Sequence, residues 1–343
     1  MPGLGRPAAR AAAVAFVGAA VACAGCADGT DADPVRGADA QSAATPASSP
    51  PRAGLPTGQV LPLDAAVTAA VVDPATRTLA AAATEPDRLL LYDLDLPDAA
   101  PRMVALPGAV ARLTLGAGGE LLAPVRSTGE LLRIDIRAGQ SAEPTVHSTR
   151  VTGAPVAAAV VGAATVVALD DRVLVLDGDT VTRTVTGFAG AADVVAVGER
   201  AAVLDRSRTA LLTVDPASGR LGPGLRAGNG AANAVGDRYG RVLVTDTRDG
   251  ELLAFSAEPL IMRQRYPVPG APYAIAYDRT RDLAWVTLTE RNEVVGFDVA
   301  GGEPVERYRL STVRQPNAVA VDDATGTVVV ASGTGEGIQV VQP

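Results

Sequence analysis

The chain has no lysine, one histidine and two cysteines, and aromatic residues make up only 3% of its 343 positions. Without lysine, the protein has no Schiff-base nucleophile and no lysine clamp for phosphate. Both cysteines, Cys23 and Cys26, lie near the N-terminus, so the rest of the chain has neither disulfides nor cysteine metal ligands. Because His147 is the single histidine, the chain cannot form a histidine-rich zinc site. Few aromatics and a net charge of −8 disfavour nucleic-acid binding.

The N-terminus has the composition of an export signal. Arg6 and Arg10 precede a short apolar run, and small residues follow it, which is typical of a signal peptide. The stretch ACAGC, ending at Cys26, resembles a bacterial lipoprotein lipobox. This resemblance predicts a signal peptide over residues 1–25 and an acylated Cys26. Cys23 stands where such motifs usually carry an aliphatic residue, so acylation of Cys23 and an ordinary secretory signal remain alternatives.

Residues 26–55 are rich in Ala, Ser, Pro, Gly and Asp and contain almost no large apolar side chains. Such a segment cannot bury enough surface to offset its ordering entropy. We therefore expect a disordered tether between a lipid anchor and a folded body. The expected location is the extracytoplasmic face of the cell membrane, with the lipid as the only membrane contact.

The remainder, residues 56–343, is built from one repeat. Short β-rich segments end in an acid at regular positions, with Ser256 in place of one acid: Asp93, Asp135, Asp177, Asp215 and Asp298. Successive intervals are 42, 42, 38, 41 and 42 residues. A period near 40 with several short strands per unit is typical of propeller blades. A second pattern, a turn followed by a strand of small residues, recurs with the same spacing as the strand-ending acids. Together the two patterns divide the chain into seven units.

The last unit predicts only three strands, whereas the units before it carry four. Residues 57–63 form a surplus strand ahead of the first unit. Placed on the outside of the last blade, this strand completes it and removes two open edges. The sequence therefore predicts an all-β, seven-bladed β-propeller of four-stranded blades, closed by an N-terminal strand that completes the last blade.

Two stretches, LAWVTLTERNEVVGFDV and GTVVVASGTGEGIQVV, resemble the YVTN-type, YncE-like seven-bladed β-propellers. The resemblance covers roughly residues 56–343 and is strongest in the last two units. One histidine and one tryptophan cannot supply the repeating motifs of WD40 blades, and the paired glycines of kelch blades do not recur.

The recurrent acids are interpreted as structural. An Asp at the end of a strand can cap the following turn by accepting hydrogen bonds from backbone N–H groups two residues on. The acids that follow the first strand of a blade, Asp73, Asp278 and Asp322, are interpreted in the same way.

The candidate ligand site lies where the first strand of each blade begins, because these positions face the channel. Four adjacent blades carry hydrogen-bonding groups there: Asp193, Asn233, Tyr273 and Asn317. A one-sided polar channel mouth predicts a ligand-binding site, although such residues are also commonly just hydrated. An alternative is an axial calcium or other divalent cation on Asp193, Asn233 and Asn317, as in metal-dependent propeller lactonases.

These observations favour a binding or scaffold module of the cell envelope that acts as a monomer, without catalysis or a cofactor of its own. Its partner would be an envelope protein or a small-molecule ligand, and not a nucleic acid. The alternative is a metal-dependent, lactonase-like hydrolase. It is weakened because no glutamate begins a first strand and no histidine is available there as a base.

Overall fold

A computed structural model of the protein describes residues 1–3, 35, 39–137 and 143–343. The expected signal peptide and Cys26 therefore fall outside the described part of the chain, apart from the first three residues. The compact unit Asp33–Pro343 contains all of the strands. Within the described residues, twenty-eight strands form seven four-stranded antiparallel sheets, and the only helical element is a 3₁₀ turn at Ala117–Gly119. No described helix is long and apolar enough to span a bilayer.

Each sheet is one blade, and its strands follow the chain outward from the channel. The strands of blades 1 to 3 are β2 Val67–Asp73, β3 Thr78–Ala83, β4 Arg88–Asp93, β5 Arg102–Ala105; β6 Thr114–Leu115, β7 Glu120–Val125, β8 Glu130–Asp135, β9 Thr145–Arg150; β10 Pro155–Val161, β11 Ala164–Leu169, β12 Arg172–Asp177, β13 Thr180–Thr186. Those of blades 4 and 5 are β14 Ala191–Val197, β15 Arg200–Asp205, β16 Ala210–Asp215, β17 Arg220–Arg226; β18 Ala231–Gly236, β19 Arg241–Asp246, β20 Glu251–Ala257, β21 Leu260–Pro267. Those of blades 6 and 7 are β22 Pro272–Asp278, β23 Leu283–Leu288, β24 Glu293–Asp298, β25 Val305–Ser311; β26 Pro316–Asp322, β27 Thr327–Ser332, β28 Ile338–Val341, and β1 Gln59–Leu61.

The seven-bladed architecture and its closure are confirmed. Strand β1 pairs antiparallel with β28, so the N-terminal strand is the outermost strand of blade 7. The buried side chain of Gln339 on β28 secures this junction. Its Nε2 donates to the carbonyls of Thr57 at 2.7 Å and Ser311 at 2.9 Å, and its Oε1 accepts from the N–H of Val313 at 3.1 Å. Gln339 therefore joins the start of the ring, its end and the outer strand of blade 6.

Seven apolar clusters form the core, one between each pair of neighbouring blades. Between blades 1 and 7, Leu79 and Val329 pack with Leu61 of the closing strand. Between blades 6 and 7, the only tryptophan, Trp285, is buried and stacks on Tyr308 with ring centroids 5.5 Å apart. Because every blade buries both faces against its neighbours, loss of one blade would expose two of these clusters.

Four of the five recurrent acids cap turns, as the sequence predicts, whereas no such hydrogen bond is seen for Asp177 among the described residues. Asp93 accepts from the N–H of Asp95 at 2.9 Å, and Asp298 accepts from the N–H of Ala300 at 3.1 Å. Asp135 and Asp215 make equivalent bonds at the ends of their strands. The acids that end the first strands cap turns in the same way: Asp73, Asp278 and Asp322.

Two of these acids also join neighbouring blades. Arg137 of blade 2 makes a bidentate contact with Asp73 of blade 1, with both N–O distances at 2.8 Å. Arg77 of blade 1 contacts Asp322 of blade 7 through a single guanidinium nitrogen, across the ring closure. The hydrogen bonds from Arg137 are the main reason that the pKa of Asp73 lies below its usual value.

Candidate ligand site at one end of the channel

A β-bulge at the start of the first strand shapes one end of the channel, which we call the mouth. In six blades the pairing of the first two strands shifts register at this point. A bulge turns the backbone and re-aims a side chain, which is why bulges are frequent beside binding sites. In blades 1, 3 and 7 the residues left out of register are Thr68, Val156 and Asn317.

The structure brings three of the four predicted site residues together. Asp193 and Asn233 line a central cavity of about 540 Å³, as does Asn317. Asp193 accepts from the N–H of Ala234 at 3.1 Å, and Asn233 donates to the carbonyl of Tyr273 at 2.8 Å. Asn317 lines the same cavity, and its side-chain oxygen accepts from Gln315 at 3.0 Å. Tyr273, the fourth predicted residue, is not among the lining residues of this cavity.

Sequence reasoning missed Arg112, which reaches across the channel from blade 2 to blade 5. Its Nε lies 3.5 Å from a carboxylate oxygen of Asp193, and its Nη2 donates to the side-chain oxygen of Asn233. Both charged side chains are largely buried. Strand β6 is only two residues long, so the chain preceding it is irregular and can place Arg112, rather than Ala111, in the channel. Arg112 is therefore the counter-ion of Asp193, the one acidic residue among the four predicted site residues.

Above Arg112 lies a recess of about 860 Å³ between the loops of blades 1 to 4. Thr68 and Arg112 line both this recess and the channel cavity, so the two spaces meet there. Most of the recess wall is small or apolar: Ala43, Ala109, Val110, Ala111, Pro124, Ala154, Pro155, Val156, Gly190, Ala191 and Ala192. Its polar lining includes Arg126, which pairs with Asp170, and Arg206.

Arg206 is the cation of the recess that makes no salt bridge to a carboxylate within the described part of the chain. Burial lowers its pKa, because the guanidinium loses water. Its Nη2 donates to the carbonyl of Ala44, and Tyr273 is a further hydrogen-bond partner. Its buried Nε has no partner among the described atoms. The recess therefore has a partly unsatisfied positive group at its edge.

The other half of the mouth, over blades 4 to 7, is covered by residues 41–52, which we call the mouth segment. Its first and last residues are held at opposite sides of the mouth. The N–H of Gln41 donates to the carbonyl of Ser207 at 2.7 Å, and Arg52 pairs with Glu336 at 2.8 Å. Between them, Ala44 and Ser49 are buried. This part of the expected tether is not a free linker, because propeller side chains bind its backbone.

Other chemically suggestive groups are accounted for by their surroundings. His147 lies on the outer strand β9, and its Nε2 is 2.9 Å from Asp179 at an exposed position. The hydrogen bond from Thr149, followed by that from His147, lowers the pKa of Asp179. Asp246, Asp249 and Glu251 lie close enough to hold a cation. However, Asp246 caps the loop that follows its strand, and Arg265 contacts the other two.

Solved structures with the same fold come from several different proteins, all at low sequence identity to this chain. Virginiamycin B lyase from Staphylococcus aureus superposes with a TM-score of 0.66 at 12% identity, over 83% of this chain and 99% of its own. Hydrazine synthase of Kuenenia stuttgartiensis gives 0.68 at 14% identity, over 84% and 99%. The RRP9 WD40 repeats give 0.69 at 12% identity, over 82% and 95%. No protein-family model and no curated protein sequence matches the chain. These likenesses establish the seven-bladed fold alone.

Proposed function

We propose that this protein is a non-catalytic binding module of the cell envelope, exported and anchored through a lipid on Cys26. The observation that carries the binding role is the recess of about 860 Å³ at the channel mouth. Recesses of this size with a mostly apolar wall and a few placed polar groups are typical of small-ligand sites. The lipid anchor rests on the N-terminal sequence alone.

The lining of the recess favours a ligand with an apolar body and an anionic group. Ala111 and Val156 provide surface for the apolar part. Arg206 provides a cation that lacks a carboxylate partner among the described residues, whereas the acid Asp170 is neutralised by Arg126. A carboxylate or similar group on the ligand would satisfy Arg206 with charge-assisted hydrogen bonds.

A hydrolase with an axial metal ion is less well supported. Two of its three candidate ligands, Asp193 and Asn233, already bind the guanidinium of Arg112. A divalent cation at this position would have to displace a fixed positive charge. Asn317, the third candidate, is bound to Gln315 instead.

Lyase chemistry has no counterpart here either. One fold neighbour is a catalytically inactive variant of virginiamycin B lyase with quinupristin, in which alanine replaces a histidine. The single histidine of this chain, His147, is on an outer strand and does not line the channel cavity or the recess. The proposal therefore assigns binding, and not bond cleavage, to the mouth.

The test is a binding screen with aromatic carboxylates and their neutral carboxamides, observed by ligand-detected NMR. Carboxylates should bind the wild-type protein more tightly than the carboxamides. Ala111→Trp should abolish this binding, because an exposed alanine of the recess is replaced by a ring that fills it. Ala217→Trp, at an exposed turn on the opposite end, is the matched control. Absence of binding, or binding undiminished by Ala111→Trp, would refute the assignment.

A further inference from the structure

The propeller holds the mouth segment mainly through its backbone. Five side chains donate hydrogen bonds to five of its carbonyl groups: Arg248 to Ser42 at 2.6 Å, Arg206 to Ala44, Gln315 to Ala47 at 2.9 Å, Arg314 to Ser49 at 3.3 Å and Asn292 to Pro50 at 2.9 Å. Backbone carbonyls are common to every polypeptide. An arrangement of donors along one extended segment therefore recognises a polypeptide as such, with little dependence on its side chains.

These donors do not belong to one loop. Arg206, Arg248 and Asn292 come from the loops between the second and third strands of blades 4, 5 and 6. Arg314 and Gln315 come from the loop that enters blade 7. Four blades thus contribute to one continuous track over about half of the mouth. Neighbouring blades of a rigid ring fix the spacing of the donors before the segment binds, which limits the entropy cost of binding.

The track encloses side chains of the mouth segment at two positions. Ala44 is 2% exposed and Ser49 is 3% exposed, so neither position has room for a large side chain. Ser49 Oγ donates to the carbonyl of Thr289 at 2.6 Å and accepts from the N–H of Gln315 at 3.1 Å. The track therefore selects a small residue and, five positions later, a serine.

The donors are costly to leave unpaired. Gln315 and Asn292 are both buried while the mouth segment is in place, so a segment that covered them without accepting their hydrogen bonds would carry a desolvation penalty. When the mouth segment leaves, these groups need another polypeptide or ordered water. The packing of the blades does not require this row of hydrogen-bond donors, since the apolar clusters between the blades hold neighbouring blades together.

We propose that this track is a second binding site, for an extended, small-residue-rich segment of a partner polypeptide, and that residues 41–52 fill it in cis as an intramolecular competitor. The track adjoins the small-ligand recess over blades 1 to 4 and shares Arg206 with it. A tethered competitor acts at an effective concentration of about 1 mM. A partner therefore binds only when it displaces the mouth segment, so the segment determines the concentration of partner that binding requires.

The experiment uses the full chain and a fluorescent synthetic peptide with the sequence of residues 41–52, QSAATPASSPPR. In the Ser49→Arg protein the buried serine is replaced by a side chain that cannot fit, so the protein's own segment should leave the track. Ser48→Arg is the matched control, because Ser48 is exposed and its neighbour keeps the segment in place. Ala44→Arg is a second displacing variant, which relies on the other buried position.

By fluorescence anisotropy, the peptide should bind the Ser49→Arg and Ala44→Arg proteins about a hundredfold more tightly than the wild-type and Ser48→Arg proteins. Adding Gln315→Ala to the Ser49→Arg protein should weaken this binding at least about tenfold. Equal binding to all proteins, or no binding to either displacing variant at peptide concentrations up to about 1 mM, would overturn the proposal. The carboxylate screen remains separate because it uses the wild-type protein, in which the mouth segment is in place, and because Ala111 makes no contact with the track.

Discussion

Ser49 and Gln315, 266 positions apart in the sequence, hydrogen-bond to each other in both directions. The N–H of Ser49 donates to Gln315 Oε1 at 3.0 Å, and the N–H of Gln315 donates to Ser49 Oγ at 3.1 Å. This reciprocal pair is buried, and Ser49 lies in the C-terminal half of the mouth segment. It joins residues upstream of the propeller to the loop that enters its last blade, and it is one of the contacts that hold the segment over the mouth.

Closure of the ring should depend on Gln339. Gln339→Leu keeps the approximate shape of this buried side chain but leaves the carbonyl of Thr57 and the N–H of Val313 without the partner that Gln339 provides. The carbonyl of Ser311 loses one of two hydrogen bonds, since it also accepts from the N–H of Thr57. We expect a loss of about 3 kcal/mol in the free energy of unfolding, measured by urea denaturation. Gln342→Leu, at the exposed penultimate position, is the control and should change little. Equal stabilities of the two variants would contradict the role of Gln339.

Removal of residues 57–63 should be more damaging than either substitution, because it deletes the outer strand of blade 7 and part of the cluster around Leu61. An unchanged melting temperature after this deletion would refute closure of the ring by the N-terminal strand.

The Arg137–Asp73 pair should make stability depend on pH in the acid range. Hydrogen bonds from Arg137 are the largest cause that holds the pKa of Asp73 below its usual value of 3.8. Because the folded-state pKa is lowered, the stabilisation is present above 3.8 and is lost as the pH falls through the folded-state pKa. Arg137→Gln should therefore cost about 2 kcal/mol near pH 7, and this difference should shrink as the pH falls below 3.8.

Urea denaturation at several pH values measures this difference, and Arg200→Gln is the control. Arg200 pairs with Glu258 at an exposed site, where removal of an ion pair costs at most about 1 kcal/mol. A cost for Arg137→Gln that is independent of pH would show that Asp73 is not the group responsible.

Calcium should leave the melting temperature of the wild-type protein unchanged. The oxygens of Asp193 and Asn233 are bound by Arg112, and an ion stabilises a protein only if it binds the folded state preferentially. The measurement is thermal unfolding with added calcium and with EDTA. A rise with calcium that EDTA reverses and Asp193→Ala removes would instead favour an axial metal site.

Membrane attachment should depend on Cys26. Cys26→Ala should move the protein from the membrane fraction to the soluble fraction, because acylation of this thiol supplies the proposed anchor. Cys23→Ala is the internal comparison. Release by Cys23→Ala but not by Cys26→Ala would transfer the anchor to Cys23, and retention of both variants would exclude a lipid on either residue.

Much of the propeller could be predicted from the sequence because its signals are local and repeated. The acids at the ends of strands and the small-residue first strands recur about every 40 residues. The surplus N-terminal strand matches the strand that is missing from the last unit. The closure by β1 and the turn-capping role of Asp93 and Asp298 are confirmed for this reason.

The mouth could be predicted only in part. Arg112 was missed because the irregular first strand of blade 2 breaks the repeat. The repeat indicates Ala111 as the channel-facing position, but the long side chain of the neighbouring Arg112 crosses the channel instead. The ordered position of the mouth segment was missed because the composition of a segment indicates only how much apolar surface its own side chains can bury. Residues 41–52 have little to bury, and their order comes from donors more than 160 positions away, such as Arg206 and Gln315.

The central claim is that the mouth of this propeller binds polypeptide, beginning with its own residues 41–52. Hydrogen exchange of the full chain, read by mass spectrometry, tests it most directly. The amide of Ser49, which donates to Gln315, should exchange slowly in the wild-type and Ser48→Arg proteins and at the rate of an unstructured peptide in Ala44→Arg. Fast exchange of residues 41–52 in the wild-type protein would contradict the account.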